Sequence, residues 1–452
     1  MAEDRLAIEG GAPALPGRVR DGWRQITDAE KGAVLELLDK GILSVAHGGV
    51  VQAFEEECAA AFGTRYALAC CNGTSALHSA YFAAGVGPGD EVIVPAYTWH
   101  ATVTPIFHCS ATPVFAEVDP RTLCLDPDDV ERCITRRTKA VCVVQVWGNV
   151  PDMDRFRAIA DRHGLVLIED SSHAHGAAWR GRPVGSFGHL GCFSMQGSKA
   201  VSGGELGLVV TDNAEYFDRM LLLGHFGRIE GGQAGPTFPG IGDMSLGAKY
   251  RAHPFAVAIA RCHLKRLPEL NRLRTRNYAI LNDVLRGTPG IEVVDPLPGA
   301  ERGGYLEFKF VVRTEELGAT REEFADACRA ENAPVSVDRY SALNFTYGLL
   351  HLAPLYNAFD RMKLGGCFYD PTRPELARGL GYKPGDLPVT EDACQRIIGT
   401  PAFTDVPPET VELVGRAMRK VALHMNRRRL VLGDENRTRS SRASGRCGQP
   451  AV

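Results

Sequence analysis

Short apolar runs, separated by stretches with helical periodicity, dominate the chain between about residues 45 and 265. Apolar runs of strand length are typical of strands that are buried on both faces, and the helical stretches between them provide the crossovers of parallel strands. The pattern therefore predicts a doubly wound, mainly parallel α/β domain. In chain order, the predicted strands are YALAC, EVIVPAY, TPVFAEV, AVCVVQV, LVLIED, GCFSM and LGLVVT.

Helical patterns flank this region. They predict helices over residues 28–43 and 50–62, and a long helix over 264–285. The later segments GIEVV and YLEFKFVV, a helix near 322–331 and a turn-rich region around 354–388 predict a smaller α+β domain. The predicted organisation is an N-terminal segment (1–44) packed on the small domain, a large domain (45–265), a small C-terminal domain (266–425) and a disordered tail (433–452).

Length and composition agree with two domains of an ordinary globular protein. The chain has 452 residues, of which 44% are hydrophobic and 23% charged, and single cores stop growing at roughly 250–300 residues. The net charge of −3 gives no global attraction to nucleic acid or to acidic membranes. Thirteen scattered cysteines predict reduced thiols. Without a signal-like start or a run of about 18 apolar residues, the expected compartment is the cytoplasm.

The tail from Gly433 is rich in Ser, Arg and Gly and has few large apolar side chains. Burial therefore cannot offset the entropy of ordering it. Its arginines are compatible with nucleic-acid binding, although a solvated tail is the commoner meaning of such a composition.

Four segments at predicted strand ends carry candidate chemistry, and open α/β sheets bind their ligands at that edge. The first is the turn Asn72-Gly73-Thr74-Ser75, which precedes a predicted helix. The N–H groups of a helix N-terminus attract anions, and the Thr74 and Ser75 hydroxyls add donors for a phosphate. Helix capping is the alternative explanation of the same residues. In the second segment, PAYTWH, Trp99 either stacks on a planar ligand or fills the core.

The third segment, LVLIEDSSHAHGA, carries two carboxylates at the end of an apolar strand. Asp170 is the candidate partner of a protonated ring nitrogen, whose positive charge a carboxylate stabilises. His173 is the candidate donor to a phenolic oxygen on the same ring. The alternatives are a helix cap for Asp170 and a histidine satisfied by protein contacts for His173.

The fourth segment, GCFSMQGSK, places Lys199 a short turn after a strand and among small residues. A lysine that turns inward loses solvation, and its amine then becomes available to form an imine. Most lysines are instead exposed surface charges. Ser194, five residues earlier, is a candidate to complete the phosphate site.

Together, NGTSAL, VIVPAYTW, EDSSHAHGA and FSMQGSK resemble the DegT/DnrJ/StrS family of pyridoxal-phosphate (PLP)-dependent sugar aminotransferases, and the likeness runs from about Leu6 to about Met425. The resemblance implies PLP fold type I, which is aspartate-aminotransferase-like, and a homodimer with active sites at the subunit interface. It implies that Lys199 forms the imine and moves protons, while Asp170 and His173 contact the ring. The implied cofactor-binding residues are Thr74, Ser75, Trp99, Asp170, His173, Ser194, Lys199 and Lys249.

Two segments depart from the family pattern. The family usually has Gly-Glu-Gly-Gly after the lysine, and here Leu206 replaces one glycine. The partner-subunit loop usually reads Asn-Tyr/Phe-Arg, and here it reads Lys249-Tyr250-Arg251. A lysine approaches a phosphate as a point charge without the geometry of an amide. Arg228 and Arg251 are candidates for holding the carboxylate of the amino donor, or are surface ion-pair residues.

The resemblance implies transfer of an amino group from glutamine or glutamate to a keto-cyclitol or keto-sugar, in antibiotic biosynthesis of the aminocyclitol type. LAIEGGAPALPGR and GHFGRIEGG are similar to the branch that includes scyllo-inosose aminotransferases and aminohydroxybenzoate synthases. The presence of Lys199 favours transamination over the related sugar dehydrations that lack the lysine. The alternatives are a dehydrating or aromatising PLP enzyme of that branch and a catalytically silent regulatory subunit. No metal, nucleic-acid or membrane partner is expected.

Overall fold

The structure is a computed structural model that describes residues 5–45, 47–230, 245–337, 349–357 and 380–444. Its helices are α1 (Asp28–Asp39), α2 (Gly49–Phe62), α3 (Gly73–Ala83), α4 (Thr104–His108), α5 (Pro127–Cys133), α6 (Met153–His163), α7 (Ala214–Gly224), α8 (Phe226–Glu230), α9 (Pro254–Leu285), α10 (Thr314–Leu317), α11 (Arg321–Ala330), α12 (Pro354–Asn357), α13 (Pro388–Arg396) and α14 (Pro408–Ser444). Its strands are β1 (Tyr66–Cys70), β2 (Glu91–Pro95), β3 (Thr112–Ala116), β4 (Thr138–Val144), β5 (Val166–Asp170), β6 (Ala178–Trp179), β7 (Arg182–Pro183), β8 (Leu190–Ser194), β9 (Gly207–Thr211), β10 (Ile291–Val293), β11 (Ala300–Glu301), β12 (Glu307–Val312), β13 (Ser336–Val337) and β14 (Ile397–Pro401).

Seven strands form the main sheet, in the order β1-β9-β8-β5-β4-β2-β3. The prediction of a doubly wound, mainly parallel α/β sheet is confirmed. The segment LGLVVT, grouped with the parallel strands by its apolar pattern, forms β9 and runs antiparallel to both of its neighbours. The reason is its connection to β8, residues 195–206, which contains no crossover helix of the kind that parallel neighbours need.

Apolar side chains cover both faces of the main sheet. Consecutive residues of a strand point to opposite faces, and Leu167 and Ile168 of β5 accordingly join two different buried clusters. Both residues are fully buried. This two-sided burial explains why the strand segments are almost continuously apolar and lack alternation.

A second, antiparallel sheet has the order β10-β12-β14-β13. Its apolar cluster includes Phe308 and Phe324, and Leu6 and Leu15 from the N-terminal segment are buried in the same cluster. β11, β6 and β7 form a third, small antiparallel sheet. The domain boundaries stay predictions, and α9 runs continuously across the predicted 265/266 boundary.

Three helices differ in length from their predictions. α1 ends at Asp39 because Gly41 adopts a left-handed conformation with φ of 65°. α9 begins ten residues earlier than predicted, at Pro254, where the His253 side chain caps its first turn. α14 continues through Ser444, so its helical backbone includes part of the segment predicted to be disordered, since extending a helix is easier than nucleating one.

Some predicted features lie outside the described residues. These are residues 445–452 of the tail, part of the turn-rich region around 354–388 and the last residues of GHFGRIEGG. Within the part of the chain that the structure describes, no helix combines the length and the apolar character needed to cross a membrane.

Candidate active site

A cavity of about 610 Å³ lies at the carboxyl ends of the parallel strands. Most of the predicted site residues line it, although they come from segments far apart in the chain. The cavity thus lies at the rim of the sheet, where open α/β sheets bind ligands, and the roles predicted for its residues stay predictions. The lining residues are Asn72, Gly73, Thr74, Leu77, Thr98, Trp99, Ala101, Val144, Asp170, Ser172, His173, Ser194, Gln196, Ser198, Lys199, Glu205 and Leu306.

Lys199 lies in the turn between β8 and β9, and its side chain is half-buried. The backbone N–H of Lys199 donates to the Gln196 carbonyl at 2.8 Å. The base of the turn is closed by the Met195 N–H, which donates to the Leu206 carbonyl at 2.8 Å. The backbone of the turn thus holds the lysine at the cavity.

Asp170 is the last residue of β5 and is 5% exposed. The Thr102 hydroxyl donates to its Oδ2 at 2.8 Å, and the Ser172 N–H donates to its Oδ1 at 3.2 Å. Both contacts use the carboxyl group as an acceptor, which suits its ionised form. A carboxylate held in this way can accept a hydrogen bond from a cationic ring N–H.

The neighbouring carboxylate, Glu169, points away from the cavity into the protein. It is fully buried and accepts hydrogen bonds from the Gly185 and Gly188 N–H groups, at 2.8 and 2.7 Å, and from the Gln145 amide at 2.8 Å. Burial raises the pKa of Glu169, although these hydrogen bonds partly oppose the shift. Of the two carboxylates at this strand end, only Asp170 lines the cavity.

His173 lines the same cavity and is 6% exposed. The backbone N–H of Trp147 donates to its Nδ1 at 3.2 Å. A backbone N–H can only donate, so Nδ1 carries no proton and the neutral ring is protonated at Nε2. The neutral ring of His173 is therefore the tautomer that donation to a phenolic oxygen requires.

The predicted phosphate segment forms the first turn of α3. Asn72 caps this helix, because its side chain accepts a hydrogen bond from the Ser75 N–H at 2.8 Å. The Ser75 hydroxyl donates to the Asn72 carbonyl at 2.7 Å and is buried. The Ser75 hydroxyl is thus used within the cap, and Thr74 is the residue of this pair that lines the cavity; phosphate binding by either residue stays a prediction.

Ser194, at the end of β8, lies directly against the start of α3. A Cβ atom on Gly73 would come within 2.6 Å of the Ser194 Cβ, so the close approach requires glycine. The Ser194 N–H donates to the Ser172 hydroxyl at 2.9 Å, which fixes the strand end. The Thr74 and Ser194 side chains thus share one wall of the cavity with a helix N-terminus, an arrangement suited to a phosphate.

A buried histidine lies close to the lysine. Burial, with smaller contributions from the positive charges of Lys199 and Arg274, lowers the pKa of His175 to about 3. His175 is consequently neutral at physiological pH. Lys199 and Arg274 also line a narrow second cavity of about 10 Å³ with Trp23.

Leu206, which replaces a glycine of the family pattern, does not project into the cavity. It is fully buried in an apolar cluster that includes Phe54 and Leu208. Gly207 remains in the next position, where a Cβ would lie 2.1 Å from the Asn72 carbonyl oxygen. The glycine that the site requires is thus present, and the leucine packs in the core.

Arg228, a candidate for binding the donor carboxylate, is buried in an ion pair with Glu55 at 2.6 Å. It does not line the Lys199 cavity. The charge of Arg228 has a carboxylate partner within the chain, and its role toward the amino donor stays a prediction. Lys249 and Arg251 are exposed and line a separate depression of about 280 Å³ with Phe226.

Three contributors to the site were missed by sequence reasoning. Thr102 holds Asp170, the Trp147 backbone contacts His173, and Ser172 links β5 to β8. Only Ser172 carried a local signal, because it stands between Asp170 and His173 in the third motif. The other two belong to segments that the fold alone brings to the rim.

These residues fit PLP. Thr74 and Ser194 would hold the phosphate, Asp170 the ring nitrogen and His173 the phenolic oxygen, while Trp99 lines the cavity as a stacking surface. The lysine in the turn beside the sheet completes the arrangement. The fold and site define the class: a PLP-dependent enzyme of fold type I.

Comparison with known proteins specifies the family. The model of the DegT/DnrJ/EryC1/StrS aminotransferase family matches residues 24–363, and the chain belongs to this family. An L-glutamine:2-deoxy-scyllo-inosose aminotransferase of Streptomyces lividus is 36% identical over 87% of this chain and 91% of its own length. The L-glutamine:scyllo-inosose aminotransferase of Streptomyces griseus is 34% identical over 93% of this chain and 98% of its own length.

Solved structures agree. The crystal structure of DesI, determined in the presence of its TDP-sugar product, is similar with a TM-score of 0.72 and 30% identity over 95% of this chain and 99% of DesI. The structure of 3-amino-5-hydroxybenzoic acid synthase has a TM-score of 0.73 and 25% identity over 90% of this chain and 99% of its own. The protein is thus a PLP-dependent aminotransferase, as the sequence motifs predicted.

Proposed function

We propose that this aminotransferase moves the α-amino group of glutamine, or of glutamate, to the ketone of a keto-cyclitol in the biosynthesis of an aminocyclitol antibiotic. The observation that carries the proposal is the grouping of Lys199, Asp170 and His173 around one cavity of about 610 Å³. The substrate class is supported by the names of the relatives, which are glutamine-dependent aminotransferases of scyllo-inosose compounds.

When bound, the cofactor supplies an electrophilic carbon and a ring that accepts electrons. The chain's own residues bind, orient and transfer protons. The Lys199 amine, which the turn holds at the cavity, would attach the cofactor and would carry protons to and from the substrate carbon. Asp170, held by Thr102, would stabilise a protonated ring nitrogen, and Nε2–H of His173, whose Nδ1 accepts from the Trp147 N–H, would donate to the phenolic oxygen.

The proposed active unit is a cytoplasmic homodimer in which Lys249 and Arg251 reach the site of the partner. Both residues are exposed, and within their own chain they do not line the Lys199 cavity. Exposed apolar residues support a subunit interface: Leu35 and Leu38 on α1 are 56% and 46% exposed, and Leu43 is 63% exposed. Lys249 would meet the phosphate as a point charge.

Isotope transfer tests the function directly. The PLP-loaded protein is incubated with a keto-cyclitol and glutamine labelled with ¹⁵N at either the α-amino or the amide position, and the product is analysed by mass spectrometry. We expect an aminocyclitol that carries label only from α-labelled glutamine. Amide-derived label would contradict the proposal.

Two other outcomes would identify the alternatives. A dehydrated product without nitrogen would indicate an aromatising enzyme, a reaction class favoured by the likeness to 3-amino-5-hydroxybenzoic acid synthase. A protein that stays colourless after incubation with PLP would indicate a silent subunit. Lys199→Ala is the control, since it retains the cavity but lacks the amine.

A further inference from the structure

Trp147 adopts a backbone conformation that is unfavourable for a large side chain. It lies in the short helical turn Val146–Gly148 with φ of 57° and ψ of 16°, in the left-handed region. This region is energetically unfavourable for a non-glycine residue. Contacts around the residue must therefore stabilise the turn.

The indole ring of Trp147 is anchored on two sides and is 1% exposed. Its Nε1–H donates to the Tyr97 hydroxyl at 2.7 Å. The Lys309 ammonium lies 3.8 Å from the ring centroid, within cation–π range, and pairs with Glu307 at 2.5 Å. Lys309 and Glu307 belong to β12, so the ring links the second sheet to the rim of the main sheet.

The backbone of the same residue contacts the site. The Trp147 N–H donates to Nδ1 of His173 at 3.2 Å, and the two rings lie 5.1 Å apart between centroids. The next residue, Gly148, is packed so tightly that a Cβ would lie 2.4 Å from the Gly303 carbonyl oxygen. The turn is thus held between the second sheet and His173.

We propose that Trp147 is a positioning residue: its anchored ring holds the turn in a left-handed conformation, which directs a backbone N–H to Nδ1 of His173 and so presents Nε2–H to the cofactor. This inference rests on the proposed contact between His173 and the phenolic oxygen. It gives the unfavourable conformation a function, since relaxation of the turn would remove the N–H that fixes the histidine tautomer.

Glycine and alanine substitutions separate this role from simple packing. Both Trp147→Ala and Trp147→Gly remove the ring, but glycine tolerates the left-handed conformation and alanine does not. We therefore expect the glycine variant to keep the turn and the His173 contact better than the alanine variant. A purely structural role predicts the same order in stability, because the left-handed conformation favours glycine whatever the function of the residue, but it predicts no change in the pH dependence of the absorbance of the bound cofactor.

Trp179 provides a matched control. It is 3% exposed, its Nε1–H donates to Asp154 at 3.0 Å, and the Arg180 guanidinium carbon lies 5.3 Å from its ring centroid. It belongs to the extended strand β6 and does not line the Lys199 cavity. Trp179→Ala and Trp179→Gly thus remove a similarly anchored ring from an ordinary backbone conformation.

Two measurements report on the turn. In the cofactor-free protein, hydrogen–deuterium exchange with mass spectrometry follows the backbone N–H groups of residues 146–148. In the PLP-loaded protein, the pH at which the change in visible absorbance is half complete, here called the midpoint, reports on the hydrogen bond to the phenolic oxygen. We expect this midpoint to rise by about one pH unit in Trp147→Ala. A phenolic oxygen that loses the hydrogen bond from His173 is less stable as an anion, so its proton is released only at higher pH.

We expect both the exchange at residues 146–148 and the pH midpoint to increase in the order wild type, Trp147→Gly, Trp147→Ala. The midpoints of both Trp179 variants should stay close to that of the wild type. Equal midpoints in all variants, or glycine worse than alanine at position 147, would overturn the inference. If neither Trp147 variant folds, Tyr97→Phe removes only the acceptor of the indole N–H and should raise exchange at residues 146–148. Unchanged exchange in that variant would also overturn it.

The outcomes are independent of the isotope experiment. Failure of the wild-type protein to transfer the α-amino nitrogen would reject the proposed function, while the exchange order at residues 146–148 would still test the contact between Trp147 and His173. Successful transfer together with equal absorbance midpoints in all variants would reject only the role of Trp147.

Discussion

The rim of the main sheet and the segment 245–251 both carry predicted cofactor contacts, but they are built differently. At the rim, Asp170 and His173 are buried and held by hydrogen bonds from within the chain. In segment 245–251, Lys249 and Arg251 are exposed and line a different depression. One chain thus provides a preorganised cavity at the rim, whereas the charges of segment 245–251 lie outside that cavity and, in the proposed dimer, would serve the site of the partner.

Removal of the two lysines should give the largest difference between the regions. We expect Lys199→Ala to lower turnover by about 10³-fold or more and to abolish the visible absorbance of the imine. Lys249→Ala should instead weaken PLP binding with a smaller loss of turnover, because a point charge near a phosphate is worth less than the reacting amine. Turnover and PLP affinity are measured for the two purified variants. Equal losses of turnover would contradict the expected difference between the two lysines.

Mixed dimers test whether the exposed segment serves a partner. Lys199→Ala and the double variant Lys249→Ala/Arg251→Ala should each be nearly inactive. An equal, randomly reassociated mixture should regain about a quarter of wild-type turnover per subunit, because half of the dimers are mixed and each of these has one complete site. If the mixture stays as inactive as its components, the two regions do not meet across an interface.

Leucine-to-glycine substitutions compare the packing of the two regions. Leu206 is fully buried beside the rim, and Leu246 is 62% exposed in the second segment. Leu206→Gly should lower the free energy of unfolding by about 3 to 5 kcal/mol, because it leaves a cavity and a more flexible backbone. Leu246→Gly should change it by about 1 kcal/mol or less. Urea unfolding of the cofactor-free proteins measures both, and a small effect at Leu206 would contradict its place in the core.

Acid should destabilise the rim through His175. Its pKa is lowered from 6.5 to about 3 in the folded protein, so below pH 6.5 the unfolded chain binds a proton that the folded chain does not. Stability therefore falls as the pH falls from 6.5 towards 3. Between pH 7 and 5 the loss is about 2 kcal/mol for this residue.

His175→Gln should remove that part of the pH dependence. The exposed His253, close to segment 245–251, is the control. Urea unfolding at pH 7, 6 and 5 compares the two glutamine variants with the wild-type protein. If the free energy of unfolding of His175→Gln depends on pH as steeply as that of the wild-type protein, the buried imidazole is not the source of the pH dependence.

The sequence predicted the main sheet well because strands buried on both faces leave a local apolar signature, as in LVLIED and AVCVVQV. It also located Asp170, His173, Ser194 and Lys199, since each stands at the end of such a strand or one turn beyond it. The direction of β9 was not predictable from its apolar pattern, which is the same for parallel and antiparallel strands. It depended on the length and shape of the turn that carries Lys199.

The contacts of Ser75 and Arg228 could not be predicted from the sequence, and the physical cause is the same for both. Composition shows that a hydroxyl or a guanidinium is present, but its partner depends on geometry. The Ser75 hydroxyl donates to the carbonyl of Asn72, three residues away, and Arg228 forms an ion pair with Glu55, which is far away in the sequence. Thr102 and Trp147 were missed for the converse reason: they act on residues that only the folded sheet brings near.

The reversed strand β9 has a consequence for synthesis of the chain. Among the strands that the structure describes, β1 lies at the edge of the main sheet and pairs with β9, and an isolated bridge joins its last residue, Cys70, to Arg251. At 5–20 residues per second, roughly 7 to 27 seconds separate the emergence of these two strands from the ribosome. During that interval YALAC remains an apolar segment without its pairing strand, so the nascent protein should depend on protection by chaperones until Thr211 has emerged.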